Sequence, residues 1–148
     1  MKNQKPQAVI CTPQATLKQA VDFHGHLGPY LVLGLLAGLE AVRALGCKKH
    51  FGLRVRVWGA DKRPKSCLID GLQLSTGATF GKGNIKKISS SGIRIEVKDC
   101  INNKQVVLLP RRALIGRLSR ANTHALAEKL AKEIYKSDIK KLFNLKRE

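Results

Sequence analysis

The run Gly28-Pro29-Tyr30-Leu31-Val32-Leu33-Gly34-Leu35-Leu36-Ala37-Gly38-Leu39-Glu40-Ala41-Val42-Arg43-Ala44-Leu45-Gly46 organises the rest of this sequence. Proline at a first helical position gives up an N–H that would have no partner there, and glycine after a last turn accepts the left-handed conformation that stops a helix. The run therefore predicts a helix from Pro29 to about Leu45. Leu31, Val32, Leu33, Leu35, Leu36, Leu39, Val42 and Leu45 leave it almost no polar face, so it is buried on every side, in a core or partly in a subunit interface. Gly34, Gly38 and Ala41 let another backbone approach closely, which suits a central helix and a dimer contact equally. The uncharged stretch Tyr30 to Leu39 falls well short of the roughly 20 residues that cross a bilayer, and Glu40 and Arg43 follow at once.

Outward from this helix the patterns are local. Residues 1–11 read as a loose basic start. Thr12-Pro13 reads as a cap and first turn for a helix over Gln14 to Asp22. Leu53-Arg54-Val55-Arg56-Val57-Trp58 alternates strictly, which predicts a strand with one buried face. Ser66 is placed to cap a helix over Cys67 to about Leu74. Ile93 to Lys98 alternates again, and Val106 to Leu109 follows it through a turn at Asn102-Asn103. Apolar positions 126, 127, 130, 131 and 134 make Asn122 to Tyr135 an amphipathic helix, with a last helical turn over 137–143. The expected class is α+β, helices flanking a small, mainly antiparallel sheet in a single domain over 1–148.

Composition narrows the function classes. The 148 residues are 43% hydrophobic and carry a net charge of +18, from 28 basic and 10 acidic side chains. Residues 1–85 hold 12 basic against 4 acidic residues and residues 86–148 hold 16 against 6, so the excess is spread along the chain. Such a field attracts polyanions without specificity. Cysteines 11, 47, 67 and 100 show no paired spacing, and no apolar leader follows Met1, so a cytoplasmic setting with reduced thiols is expected, without a membrane.

Chemistry-bearing residues gather in two places. His24-Gly25-His26 lies at a helix joint, where residues two apart in an extended segment face one way and the glycine leaves room for a ligand. Cys67 stands at an expected helix N-terminus behind Lys62, Arg63 and Lys65, features that favour thiolate. Two imidazoles and a thiolate leave zinc one open position. Asp70, one turn on, is a further ligand, an orienter or a base. Cys11, Cys47 and Cys100 read as small buried hydrophobes. Thr76-Gly77-Ala78-Thr79-Phe80-Gly81-Lys82-Gly83-Asn84 is glycine-rich and fails the Walker A spacing, leaving an anion cradle and a tight turn as equal readings.

Asp22-Phe23-His24-Gly25-His26-Leu27-Gly28-Pro29, with Asp70-Gly71-Leu72-Gln73 and Thr76 to Asn84, resembles the family of the formylmethanofuran dehydrogenase E subunit, over roughly residues 15–135. The family takes its name from the molybdenum or tungsten enzyme that reduces carbon dioxide onto methanofuran. The resemblance implies an α+β domain, often dimeric, with His24, His26 and Cys67 as metal ligands. This sequence departs from the family at two positions where cysteine is common, Gly28 and Ala78. It also lacks the paired cysteines of the C-terminal zinc module that some members add, since residues 101–148 contain none. Nothing in the sequence is expected to hold a molybdopterin or an iron–sulfur cluster, which usually wants four thiolates.

The expectation is a metal-binding accessory protein of one-carbon metabolism and methanogenesis, holding a divalent ion, zinc foremost. Asp70 is the candidate catalytic base. Thr76, Gly77, Thr79, Lys82 and Asn84 would line the pocket and take an anionic small molecule. Expected partners are a second copy of the chain and other subunits of a molybdenum or tungsten oxidoreductase. Two rivals stand beside it: a basic nucleic-acid-binding module, poorly supported by only seven aromatics, and a structural subunit docking on an acidic partner.

Overall fold

The structure is a computed structural model describing residues 13–148, so the expected Thr12 cap and Cys11 lie outside the described residues. Its centre is the apolar helix, here α2 (Pro29–Leu45). Pro29 occupies its first turn, and Gly46 ends it at φ 62°, donating its N–H to the Arg43 carbonyl. Residues Pro29 to Leu35, Ala37, Gly38 and Ala41 are buried. The helix before it, α1 (Pro13–His24), runs two residues past the expected end, so His24 is helical rather than extended.

The close approach that Gly34 and Gly38 invited is made within the chain, by α3 (Cys67–Thr76). A Cβ on Gly34 would lie 2.0 Å from the Leu68 carbonyl oxygen, and one on Gly71 would lie 2.2 Å from the Leu31 carbonyl oxygen. The two backbones therefore touch through reciprocal glycines. Ser75, buried beside Gly38, donates its hydroxyl to the Gly71 carbonyl at 2.9 Å, so this polar group is satisfied inside the contact.

Ser66 does not cap α3. It is itself in the helical region, with no side-chain capping bond. The chain before it is already wound tightly, and the amides of Ser66, Cys67 and Leu68 donate to the carbonyls of Lys62, Pro64 and Lys65. The orphan donors that a cap would serve are spent.

A five-stranded sheet completes the α+β fold, in the order β2-β1-β3-β4-β5. The strands are β1 (Leu53–Trp58), β2 (Ile85–Ile88), β3 (Arg94–Asp99), β4 (Lys104–Pro110) and β5 (Phe143–Arg147). Only β1 and β2 run parallel; the other pairs are antiparallel, with Val55 opposite Val97 and Ile95 opposite Leu108. Leu53, Val55, Val57, Ile95, Val97, Val106 and Leu108 form one apolar face that joins α2 in the core. The opposite face carries Arg56, Trp58, Arg94 and a buried Glu96. Glu96 accepts hydrogen bonds from both arginines, whose guanidinium carbons lie 5.6 and 5.4 Å from the indole centroid.

Three elements escape the sequence patterns. Ile85-Lys86-Lys87-Ile88 is too short and polar to announce β2. Helix α4 (Arg112–Arg120) buries only Leu114 and Leu118, and β5 follows directly on the short helix α6 (Ile139–Leu142) that shortens the expected last turn. Between them α5 (His124–Lys136) starts two residues later than expected, capped by the Thr123 hydroxyl, which accepts from the Leu126 amide. Among the described residues no helix is long and apolar enough to cross a membrane.

Replacing Gly71 by alanine sets a methyl against the Leu31 carbonyl, where only backbone movement makes room. The expected cost is roughly 1–3 kcal/mol, as for other overpacked cores. It should read as a lower denaturant midpoint at unchanged slope; a midpoint equal to wild type would show that α2 and α3 do not touch here.

Candidate functional site

Four helix ends meet around one cavity of about 110 Å³. The C-terminus of α1 brings His24, the joint to α2 brings His26, the first residue of α3 is Cys67, and the first residue of α5 is His124. Gly25, at φ 102°, makes the turn that lets the chain leave α1 and start α2 within five residues. Its amide closes α1 on the Val21 carbonyl at 2.8 Å. Tyr30 and Leu118 supply apolar wall.

His24 is the best-defined member. Its side chain is 11% exposed, and Nδ1 lies 2.6 Å from Asp70 Oδ2. With Nδ1 donating to the carboxylate, Nε2 carries a free lone pair. That Nε2 is buried without a hydrogen-bond partner. Asp70 thus orients the imidazole, one of the roles open to it in the sequence. The His26 ring sits 4.8 Å from the His24 ring, tilted 31°, and the His124 ring 6.3 Å from that of His26. Among the described residues, no three His, Cys, Asp or Glu side chains stand together at metal-holding spacing.

The expected thiolate character of Cys67 is not found. Burial pushes its pKa up, and the neighbouring Asp70 carboxylate pushes it further; Arg63 pulls the other way without compensating. The basic run beside it in sequence is thus a poor guide to its surroundings. The cysteine amide, moreover, is held by the Pro64 carbonyl.

The glycine-rich segment lies elsewhere. It caps the far end of α3, about 15 Å along a helix of this length from Cys67, and does not line the cavity. Its polar groups serve the turn itself. Thr76 Oγ1 donates to the Leu72 carbonyl and accepts from the Ala78 amide, and Gly77 takes the left-handed cap position against the His50 ring. The Thr79 amide donates to Asn84 Oδ1, and Asn84 Nδ2 donates to the His50 and Leu53 carbonyls. Lys82 Nζ donates to the Gly77 carbonyl at 2.6 Å and lies 5.5 Å from the centroid of the Phe51 ring. Thr76, Gly77, Thr79, Lys82 and Asn84 therefore build a tight turn leading into β2, not a wall of the histidine cavity.

Comparison with known proteins decides the family. The model described as "FmdE, Molybdenum formylmethanofuran dehydrogenase operon" matches residues 23–147, most of the chain, including His24, His26, Cys67 and His124 at the cavity. The chain belongs to the FmdE family. A solved protein from Syntrophus aciditrophicus, described as FmdE-like and related to tungsten formylmethanofuran dehydrogenase, superposes with a TM-score of 0.64 at 20% identity. The match covers 98% of this chain and 77% of that one, which shows a shared fold. A probable S-adenosyl-L-methionine-binding protein of Archaeoglobus fulgidus is 33% identical over 73 residues, 47% of this chain. That alignment spans only 19% of the Archaeoglobus protein.

Gly28 and Ala78, the two departures from the family pattern expected from the sequence, lie apart in the structure. A Cβ on Gly28 would lie 3.3 Å from His26 Nε2, at the cavity. Ala78 is fully buried in the core beyond the far end of α3. Sequence reasoning missed His124 altogether. It has no motif spacing to the other three, and only the packing of α5 on α2 brings it in.

In metal-free protein, Cys67 should react with iodoacetamide more slowly at neutral pH than an ordinary exposed thiol, since only the thiolate attacks. Its rate should rise at a pH above the usual thiol range. Asp70→Asn removes a charge that opposes ionisation and should move this midpoint down. Peptide-resolved mass spectrometry separates Cys67 from Cys47 and Cys100; an unmoved midpoint would show that Asp70 does not govern the thiol.

Proposed function

We propose that this FmdE chain is a metal-binding accessory subunit of the formylmethanofuran dehydrogenase type, holding a divalent ion, zinc foremost, through His24, His26 and Cys67. The observation that carries the reading is the buried, unpartnered Nε2 of His24, whose Nδ1 is tied to Asp70. Leaving such an atom without a partner costs free energy, and a histidine locked by a carboxylate on its other nitrogen is how proteins prepare an imidazole for a metal. A pair of imidazoles sharing one tetrahedral zinc places its rings roughly 5 Å apart, given Zn–N distances near 2.0–2.1 Å. The His24–His26 separation of 4.8 Å suits that requirement.

His24 is the preset donor. His26 is exposed and Cys67 half-buried, so both side chains have room to turn toward it. The raised pKa of Cys67 makes the thiol a pH-dependent ligand, because binding must displace its proton. A bound ion would supply Lewis acidity at the cavity. Asp70 keeps the His24 tautomer fixed, and Tyr30 and Leu118 limit access of water. The protein would work in the cytoplasm, as a homodimer or seated on larger subunits of a molybdenum or tungsten oxidoreductase of one-carbon metabolism.

Metal content of protein purified without a histidine tag tests the assignment. Wild type should carry close to one equivalent of zinc, His24→Ala and Cys67→Ala much less, and Asp70→Asn an intermediate amount through an affinity about 10–100-fold lower. Equal metal in all four would remove the site.

A further inference from the structure

We propose that the outer face of the sheet, turned away from α2, docks single-stranded nucleic acid, with phosphates on a row of cationic side chains and bases stacked beside Trp58. This surface is apart from the histidine cavity, and the proposal stands whether or not that cavity holds an ion.

Strand alternation sends Val55, Val57, Ile95 and Val97 into the core, so the residues between them line the other face. The pairing register sets these side by side. Lys86, Arg56, Glu96, Val107 and Lys146 form one row that crosses all five strands, a span of roughly 19 Å at the usual strand spacing. On the same face Arg54 stands opposite Lys98 and Trp58 opposite Arg94. Lys86, Arg54 and Lys146 are exposed, and the Arg56 and Arg94 side chains are 38% and 39% exposed. Two carboxylates oppose this charge. Glu96 is buried and shared by both arginines, and Glu148, at the far corner, accepts from the Gln105 side-chain amide at 2.8 Å.

The centre of the face is held ready. Glu96 accepts from Nε and Nη2 of Arg56 and from Nη2 of Arg94. A guanidinium carries N–H groups beyond these, and its planar fork suits a phosphate. The same two guanidinium groups lie beside the Trp58 ring, 5.6 and 5.4 Å from its centroid. Aromatic rings and guanidinium planes are the surfaces on which unpaired bases stack. Aromatics are few in this chain, yet its one tryptophan stands among these cations. An acidic protein would satisfy the arginines and leave the indole without a role. A strand of nucleic acid uses both, its phosphates along the row and its bases at the ring.

The test titrates the full chain with labelled oligo(U) and oligo(dT) of about 12 nucleotides, within the usual site size for such surfaces, and with poly-glutamate. Anisotropy of the label reads affinity across a salt series, and the emission of Trp58 reports whether this face is occupied. Thermal unfolding confirms that each variant is folded. An oligonucleotide should quench Trp58 as it binds. Trp58→Ala should weaken binding by roughly 5- to 100-fold, the loss of one stacked base, and Trp58→Phe, which keeps a ring, should restore most of it. Arg54→Ala with Lys98→Ala, which leaves Glu96 paired, should lower the slope of log affinity against log salt by about 1.4, for two phosphate contacts. Lys129→Ala with Lys136→Ala removes equal charge from α5 and should leave that slope unchanged. Equal losses in the two double variants, or binding without a change in Trp58 emission, would show attraction by net charge alone and overturn the proposal. Poly-glutamate binding as tightly as the oligonucleotides, with the same dependence on Trp58, would give the face to an acidic protein instead. Absence of oligonucleotide binding near physiological salt would also overturn it.

Discussion

The contact between α2 and α3 is the constraint on which the rest of the molecule depends. Two helices approach until carbonyl oxygens of one occupy the space where Cβ atoms of the other would stand, and Gly34 and Gly71 make this possible from both sides. The gain is dense packing along a seam lined by Leu31, Leu35, Leu68 and Leu72, all fully buried. The consequence is geometric. Each helix starts at the cavity, so the seam that joins them also fixes where His26 and Cys67 emerge relative to one another. A site assembled from chain ends is ordinarily loose; here the ends belong to elements that cannot slide.

Within that frame, electrostatics divide the labour between two neighbouring groups. Asp70 serves His24, fixing which nitrogen holds the proton, and the same carboxylate discourages ionisation of Cys67. One carboxylate thus holds an imidazole in place and opposes ionisation of a neighbouring thiol. Under the proposed metal binding, a cation at the cavity would reverse the second effect by favouring the thiolate.

The sequence made the local features plain and the long-range ones obscure. The boundaries of α2 follow from Pro29 and Gly46 because capping is a matter of adjacent residues. The alternation in β1 and β3 survived because each strand has one apolar face. Strand β2 was invisible because two lysines fill its middle, and its parallel pairing depends on a crossover through α3. Strand β5 was hidden because helical turn signals run up to Phe143, where its pairing with Pro110 takes over. At the site, His24, His26 and Cys67 were legible by residue type and family motif. Thr76 to Asn84 left a tight turn and an anion cradle equally open in the sequence, because the hydroxyls, amide and lysine that could face a ligand are the same groups that here bond neighbouring carbonyls and amides. His124 was out of reach because no local pattern ties the start of α5 to the joint before α2.

The two outermost strands of the sheet bear on the high positive charge. Strand β2 presents Lys86 and Lys87, and β5 presents Lys146 and Arg147, all exposed. Unpaired strand edges invite another molecule to extend the sheet, and lysine on an edge is a common guard against it. If two copies met edge to edge, either at β2 or at β5, like charges would be forced together without intervening acidic residues on those strands. Part of the +18 net charge is thus placed where it opposes edge-to-edge pairing of two copies, apart from any anionic ligand.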